Sequence, residues 1–162
     1  MYLIGDKVVH PMHGAGVIRD IVEERMAGQR KRYYVFCLPI GELVLKLPTE
    51  SCEMIGIRNL STRESIESLI DEIPNLPIDM TPNWNRRYRE NMERLKSGNL
   101  VEVARVIKTL MWRDRSRGLS NGERKMLHSA KQILLSEVVQ VEEADYRETE
   151  QRIDQMMLAE VK

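Results

Sequence analysis

Apolar and polar residues alternate along most of the first 58 positions, a pattern typical of β-strands that bury one face. In the segment "KRYYVFCL", residues 31–38, the even-numbered side chains point to one face and the odd-numbered ones to the other. Glycines such as Gly28 and Gly41 supply turns between segments of this kind. The predicted strands, in chain order, are "DKVVH", "VIRDIVEERM", "KRYYVFCL", "ELVLKLP" and "EMIGIR".

Five short strands within residues 1–58 can bury a core only by curling up, so the sequence predicts a small Tudor-like or SH3-like β-barrel there. The strand "ELVLKLP" carries Lys46 and the closing Pro48, which are residue types that protect an exposed sheet edge. An open edge can accept a strand from a partner protein, with backbone hydrogen bonds supplying the affinity.

After Ser61 the spacing of apolar residues changes from two to about 3.6, which indicates helices. The segment "STRESIESLIDEI" opens with Ser61 and Glu64 at the spacing of a capping box. The segment "PNLPIDMTP" then interrupts the helical pattern with three prolines. Residues 59–82 are therefore predicted to form a short helix and a Pro-rich linker.

Residues 83–162 are predicted to form an all-α domain. One helix is predicted from about Asn83 to Ser97, and helix-start signals follow at Asn99, Ser120 and Asp145, each with a glutamate three positions later. The final helix is amphipathic and acidic. The predicted fold class is therefore α+β, with a β-barrel followed by helices.

Charge is distributed unevenly along the chain, although the formal net charge is zero. Residues 1–82 carry 9 Lys and Arg against 12 Asp and Glu, a net charge of −3. Residues 83–135 carry 13 against 5, or +8, and residues 136–162 carry 3 against 8, or −5. The basic central block suits a polyanion partner, and it equally suits a solvated helical surface.

Several functional classes find no support in the sequence. No apolar run approaches the ~18 residues of a membrane span, and the N-terminus is charged too early for a signal peptide. No phosphate-binding loop or nucleophile elbow is present, so we expect neither an enzyme nor a cofactor. The residues that could suggest a metal, His10, His13, Cys37 and Cys52, lack the close cysteine pair of a zinc site, and none is expected.

Trp84 allows two interpretations. On a helical wheel at about 100° per residue it lies within about 40° of Tyr88 and Leu95, which favours a core position. However, it occupies the first turn of its helix, next to Arg86 and Arg87. An apolar ring between arginines suits insertion into a nucleic-acid groove while the guanidinium groups hold phosphates.

Trp112 competes for the same exposed role. It lies about 180° from Val103 on the helical wheel, away from the apolar stripe and close to Arg105 and Lys108. Periodicity alone therefore favours Trp112 as the exposed tryptophan.

Four segments resemble the CarD/CdnL family of bacterial RNA polymerase-binding transcription regulators. In family order they are "GDKVVHPMHGAGVI", "GELVLKLPTE", "PNWNRRYRENMERLKSGN" and "RDRSRGLSNGERKMLHSAKQIL". The resemblance implies a Tudor-like polymerase-interacting domain, similar to that of the transcription–repair coupling factor, followed by a helical DNA-binding domain.

The resemblance also implies roles for individual residues. The barrel of the family binds the polymerase β subunit, and its helical domain contacts promoter DNA at the upstream edge of the bubble, where a tryptophan wedges into the minor groove. The implied DNA-binding residues are Trp84, Arg86, Arg87, Arg89 and Arg124. The implied polymerase contacts are Arg25, Val44, Lys46 and Pro48, with Glu24 as an alternative alignment for Arg25.

Such a regulator needs no catalysis, because binding the open promoter complex more tightly than the closed one shifts the equilibrium between them. We expect a cytoplasmic monomer that reaches the nucleoid through RNA polymerase. The alternatives are a free-standing DNA-binding protein and a polymerase adaptor without a wedge. Between the two tryptophans the family motif selects Trp84, which we predict to be the wedge.

Overall fold

The fold combines one β-sheet with a bundle of helices, which confirms the predicted α+β class. A computed structural model describes residues 1–40 and 42–159, so the turn predicted at Gly41 lies outside the described residues. The strands are β1 (Lys7–His10), β2 (Gly14–Met26), β3 (Gln29–Leu38), β4 (Leu43–Pro48) and β5 (Arg58–Asn59). The α-helices are α1 (Cys52–Ile55), α2 (Arg63–Glu72), α3 (Trp84–Lys96), α4 (Leu100–Arg117), α5 (Asn121–Glu142) and α6 (Tyr146–Met157).

The five strands form one antiparallel sheet in the order β4-β3-β2-β1-β5. The β2–β3 hairpin turns at Ala27 and Gly28, whose positive φ angles of 51° and 78° suit a tight hairpin turn. A register shift between Ile18 and Asp20 bends β2. In the second half of β3 the even-numbered residues Tyr34, Phe36 and Leu38 are buried in the sheet's core, whereas Tyr33 and Val35 are only partly buried.

The fifth predicted strand, "EMIGIR", is wrong for most of its length. Cys52–Ile55 form a single helical turn that ends at Gly56 in the left-handed conformation. The turn buries Cys52 and leaves Met54 exposed, so the apolar residues here do not serve one strand face. Only Arg58 and Asn59 pair with β1.

Helix starts follow the capping signals in the sequence. The side chains of Asn83, Asn99, Ser120 and Asp145 each accept a backbone N–H from the first turn of their helix. The exception is α2, whose cap is Thr62 in place of the predicted Ser61.

The core of the helical part gathers residues from α2, α4, α5 and α6, and from Leu95 of α3. Helix α2 therefore packs as part of the bundle. The Pro-rich segment after it is held by Lys108, whose Nζ lies 2.8–2.9 Å from the carbonyl oxygens of Ile73, Pro74 and Leu76. Burial lowers the pKa of Lys108. This fixation sets the path by which the chain enters α3.

The sheet packs against α5, which lies at the centre of the molecule. The Ser136 hydroxyl accepts the backbone N–H of Ala15 at 2.8 Å in the buried contact between α5 and β2. Gly14 has a φ of 101°, and a side chain there would collide with Ser136 and the α5 backbone. A glycine is therefore required at this position.

A buried ion pair closes the same contact. Glu137 is 0% exposed, and its carboxylate accepts hydrogen bonds from Arg58 at 2.7 and 2.8 Å and from the Ser61 N–H at 2.7 Å. Burial alone would raise the pKa of Glu137, but Arg58 and Ser61 outweigh it and hold the pKa below its usual value. The pair connects β5 and the segment before α2 to the C-terminal part of α5.

None of the helices in the described part of the chain is long and apolar enough to cross a membrane.

We predict that Glu137→Ala lowers the free energy of unfolding by about 3 kcal/mol, because it leaves Arg58 and a backbone N–H without their buried partner. Urea unfolding at pH 7 measures this effect. Arg152→Ala is the control, since it breaks the more exposed pair with Glu142 and should cost no more than about 1 kcal/mol. Equal losses in the two variants would contradict the assignment.

The same pair predicts a pH dependence. The pKa of Glu137 is lower in the folded chain than in the unfolded chain, so the carboxylate stabilises the fold fully above the unfolded pKa of about 4.3. That contribution is lost as pH falls through the folded pKa. Glu137→Gln should therefore flatten the decline of stability in this acidic range, and an unchanged acid profile would count against the pair.

Candidate functional site

Trp84 lies on the surface, at the first residue of α3. Its side chain is 41% exposed, and its ring stacks on that of Tyr88 with centroids 5.0 Å apart and planes 17° apart. The start of α5 approaches the same two rings, because a Cβ built on Gly122 would lie 3.5 Å from Tyr88 and 3.8 Å from Trp84. Trp84 thus combines exposure with contact on two sides, and it does not belong to the core.

The indole Nε1–H donates to the Ser120 hydroxyl at 3.0 Å. Ser120 is the N-cap of α5 and forms a complete capping box with Glu123. The first turn of α3 is therefore joined to the first turn of α5 by this hydrogen bond. The sequence identified Ser120 and Glu123 only as a helix start, because a capping signal says nothing about a ring 36 residues earlier.

Arg87 is largely buried and bonds to Glu123 of α5. Its side chain is only 10% exposed, and it donates to both carboxylate oxygens of Glu123, at 2.9 and 3.3 Å, and to the Pro82 carbonyl at 2.8 Å. Burial opposes ionisation of Glu123, yet Arg87 and Ser120 hold its pKa below the usual value. A guanidinium group engaged in this way has little surface for a phosphate, so its geometry favours a structural role over the predicted DNA contact.

The three other predicted arginines are accessible. The Arg86 side chain is 71% exposed and pairs with Glu90 one turn later at 3.0 Å. Arg89 is exposed and makes no ion pair with any residue that the structure describes. Arg124, in the first turn of α5, is largely exposed, with its Nη2 3.8 Å from an Asp114 carboxylate oxygen. Accessible arginines therefore lie on both α3 and the start of α5, the two helices that meet at Trp84.

Trp112 is partly buried, although periodicity favoured its exposure. Its Nε1–H donates to the Met157 carbonyl at the end of α6 at 2.8 Å, and Arg115 lies 5.5 Å from the centre of its ring. A helical wheel assumes one buried face, whereas α4 contacts both α5 and α6. The final helix was predicted, but periodicity does not say which residues of α4 it would contact.

Strand β4 is an edge of the sheet, as "ELVLKLP" predicted, since it pairs only with β3. Val44 is 55% exposed and Lys46 is also exposed, whereas the next residue, Leu47, is buried. Lys46 forms an ion pair with Glu24 of β2. Val44, Lys46 and Pro48 lie on one face of the sheet.

Arg25 does not join this group. Its cross-strand partner is Arg30, whereas Glu24 pairs with Lys31. Because strand side chains alternate, Glu24 shares the face of Lys46, and Arg25 points to the opposite face at the exposed end of the hairpin.

The residues considered for a metal do not form a site. The His10 and His13 rings lie 4.6 Å apart, and both cysteines are buried as free thiols. Burial, reinforced by His13, lowers the pKa of His10 to about 4. Across residues 1–40 and 42–159, no group of three or more His, Cys, Asp and Glu residues is arranged to hold a metal ion.

Two family profiles match the chain in succession. Residues 2–61 match the CarD-like/TRCF RID domain, and residues 68–154 match the CarD C-terminal domain. The chain is also similar to a Bacillus subtilis (strain 168) protein named "Putative transcription factor YdeB". The two are 31% identical over 138 residues, which cover 85% of this chain and 90% of the relative.

The order of the two domains, the sheet followed by the helical bundle, and the extent of these matches lead to one conclusion: the chain belongs to the CarD family of transcription regulators.

Proposed function

We propose that this protein binds the RNA polymerase β subunit through the β4 edge and stabilises the open promoter complex by placing Trp84 at the upstream edge of the bubble. The observation that carries the proposal is the exposed indole of Trp84, held between the starts of α3 and α5, two helices that also carry accessible arginines. A large apolar ring in this position has no role in the core. It is suited to fill the gap where base pairs separate.

The proposed effect is thermodynamic. A protein that contacts the open complex but not the closed one shifts their equilibrium by the free energy of that contact. A contact of about 1.4 kcal/mol changes the ratio about tenfold. No sequence-specific recognition is needed, since the arginines contact phosphates and the indole contacts the edge of the bubble.

The β4 edge supports the polymerase part of the proposal. Its exposed residues Val44 and Lys46 alternate with the less exposed Leu43, Leu45 and Leu47, so a partner strand could pair with the backbone while its side chains contact this outer face. Attachment through the sheet would hold the helical domain near the promoter at high effective concentration. Weak DNA contacts then suffice, which fits a chain with zero net charge.

We predict that Trp84→Ala shortens the lifetime of the open complex by an amount equivalent to about 1–3 kcal/mol, the scale of an aromatic contact with a base. The measurement is the dissociation rate of promoter complexes after a competitor challenge, with purified polymerase. Val101→Ala is the matched control, because Val101 is as exposed as Trp84 but lies at the start of α4. Lifetimes that are the same for Trp84→Ala and the unaltered protein would contradict the wedge.

The arginines are predicted to act through phosphates. Replacing Arg86, Arg89 or Arg124 singly by alanine should reduce the slope of log affinity against log salt by about one. Arg63→Ala, on α2, should leave the slope unchanged. By contrast, Arg87→Ala should chiefly lower the melting temperature, because it strands the buried carboxylate of Glu123. Unaltered slopes for all three accessible arginines would exclude phosphate contacts there.

Lys46→Glu is predicted to weaken binding to the β subunit, because it reverses the charge on the proposed contact face and places a second carboxylate beside Glu24. Binding of the isolated β lobe can be measured by calorimetry. Lys7→Glu changes the same charge on β1, away from the β4 edge, and should bind normally. Equal binding by both variants would move the polymerase contact to another surface.

A further inference from the structure

We infer that Ser120 is a positioning residue for Trp84, and that its hydroxyl fixes the orientation in which the indole is presented. The inference rests on the proposed wedge role of Trp84 and adds the group that holds it. It starts from the hydrogen bond of 3.0 Å between Trp84 Nε1 and Ser120 Oγ, two groups on different helices.

The hydrogen bonds of the Ser120 hydroxyl use its full capacity. Its oxygen accepts the Trp84 Nε1–H at 3.0 Å and the Glu123 backbone N–H at 3.2 Å, while its proton is donated to the Glu123 carboxylate at 3.1 Å. A serine hydroxyl has one donor and two acceptor positions. The hydroxyl is therefore held in one orientation, with one lone pair directed at the indole.

Glu123 is held just as firmly. It is 1% exposed, and Arg87 and the Ser120 N–H contact the same carboxylate. Arg87 also donates to the Pro82 carbonyl, two residues before Trp84. These hydrogen bonds form a closed cycle. It runs from Trp84 to Ser120 and Glu123 at the start of α5, and returns through Arg87 to the start of α3.

The hydrogen bond from Trp84 to Ser120 fixes which edge of the indole faces Ser120, and stacking alone does not fix this. Contact with Tyr88 and Gly122 fixes the plane of the indole, but a ring turned by about 180° about its second side-chain torsion keeps the same plane. Only one of the two orientations points Nε1 towards Ser120. The Ser120 hydroxyl thereby selects a single orientation before any partner arrives, which reduces the ordering required on binding.

Two substitutions separate this role from helix capping. Ser120→Gly removes the hydroxyl, while glycine keeps most of the capping preference. Ser120→Thr keeps the hydroxyl. We expect Ser120→Gly to shorten the open-complex lifetime roughly two- to tenfold, which corresponds to the free-energy cost of ordering one side chain. Ser120→Thr should have the lifetime of the unaltered protein. If Ser120→Gly and Ser120→Thr shorten the lifetime equally, the hydroxyl is not the responsible group.

A double-mutant comparison tests whether Ser120 acts through Trp84. In a Trp84→Ala background, Ser120→Gly should cause no further loss of lifetime. A loss of the same size in both backgrounds would overturn the inference, because Ser120 would then act independently of the indole. If Trp84→Ala itself had no effect, the proposed wedge would fail, and the orientation of the indole would be judged by the spectroscopic measurement alone.

That measurement needs no polymerase. The chain has two tryptophans, so Trp112→Phe assigns the two indole N–H signals in a nitrogen-15 spectrum. In Ser120→Gly the Trp84 N–H should exchange with solvent at least severalfold faster. The Trp112 N–H, bonded to the Met157 carbonyl, should stay unchanged as the internal control. Equal exchange of the Trp84 N–H in Ser120→Gly, Ser120→Thr and the unaltered protein would contradict the positioning role.

Discussion

The buried ion pair between Glu137 and Arg58 connects the two halves of the molecule, and the arrangement of both proposed contact surfaces depends on it. It attaches the sheet to the C-terminal part of α5, next to the Ser136 contact with β2. Fourteen residues earlier on the same helix, Glu123 holds Arg87 and Ser120 beside Trp84. At 1.5 Å per residue these two carboxylates lie about 21 Å apart along one helix. Helix α5 therefore sets the spacing between the sheet and the tryptophan, and a partner bound at one surface meets the other at a defined distance.

The uneven charge of the chain has a structural explanation. The acidic α6 packs against α5, and its carboxylates from Glu150 and Asp154 bind Lys131 at 3.1 Å. One of its arginines, Arg152, pairs with Glu142 at the end of α5. Carboxylates of α6 thus bind the middle of α5, whereas accessible arginines lie at its start and on α3. This separation leaves positive charge accessible on the two helices that meet at Trp84, in a chain whose net charge is zero.

Sequence patterns predicted the features that depend on local chemistry. Caps such as Asn99 and Ser120 were found because a capping hydrogen bond spans only two or three residues, and the edge character of β4 followed from its own residue types. Local patterns were insufficient where a residue distant in sequence determines the environment of a side chain. The family resemblance assigned Arg87 to DNA, but Glu123, 36 residues later, binds its guanidinium group in the interior. Periodicity alone favoured exposure of Trp112, but its indole is partly buried and bonds to the end of α6.

Photo-crosslinking from position 84 tests most directly whether Trp84 lies at the upstream edge of the bubble in the open complex. Trp84 is replaced by the photoreactive residue p-benzoylphenylalanine, and the crosslinks are mapped on polymerase–promoter complexes. If Trp84 lies there, crosslinks form to DNA at the upstream edge of the bubble, only with polymerase present and only on opened promoters. Crosslinks to free DNA alone, to polymerase alone, or equally to closed and open complexes would contradict it.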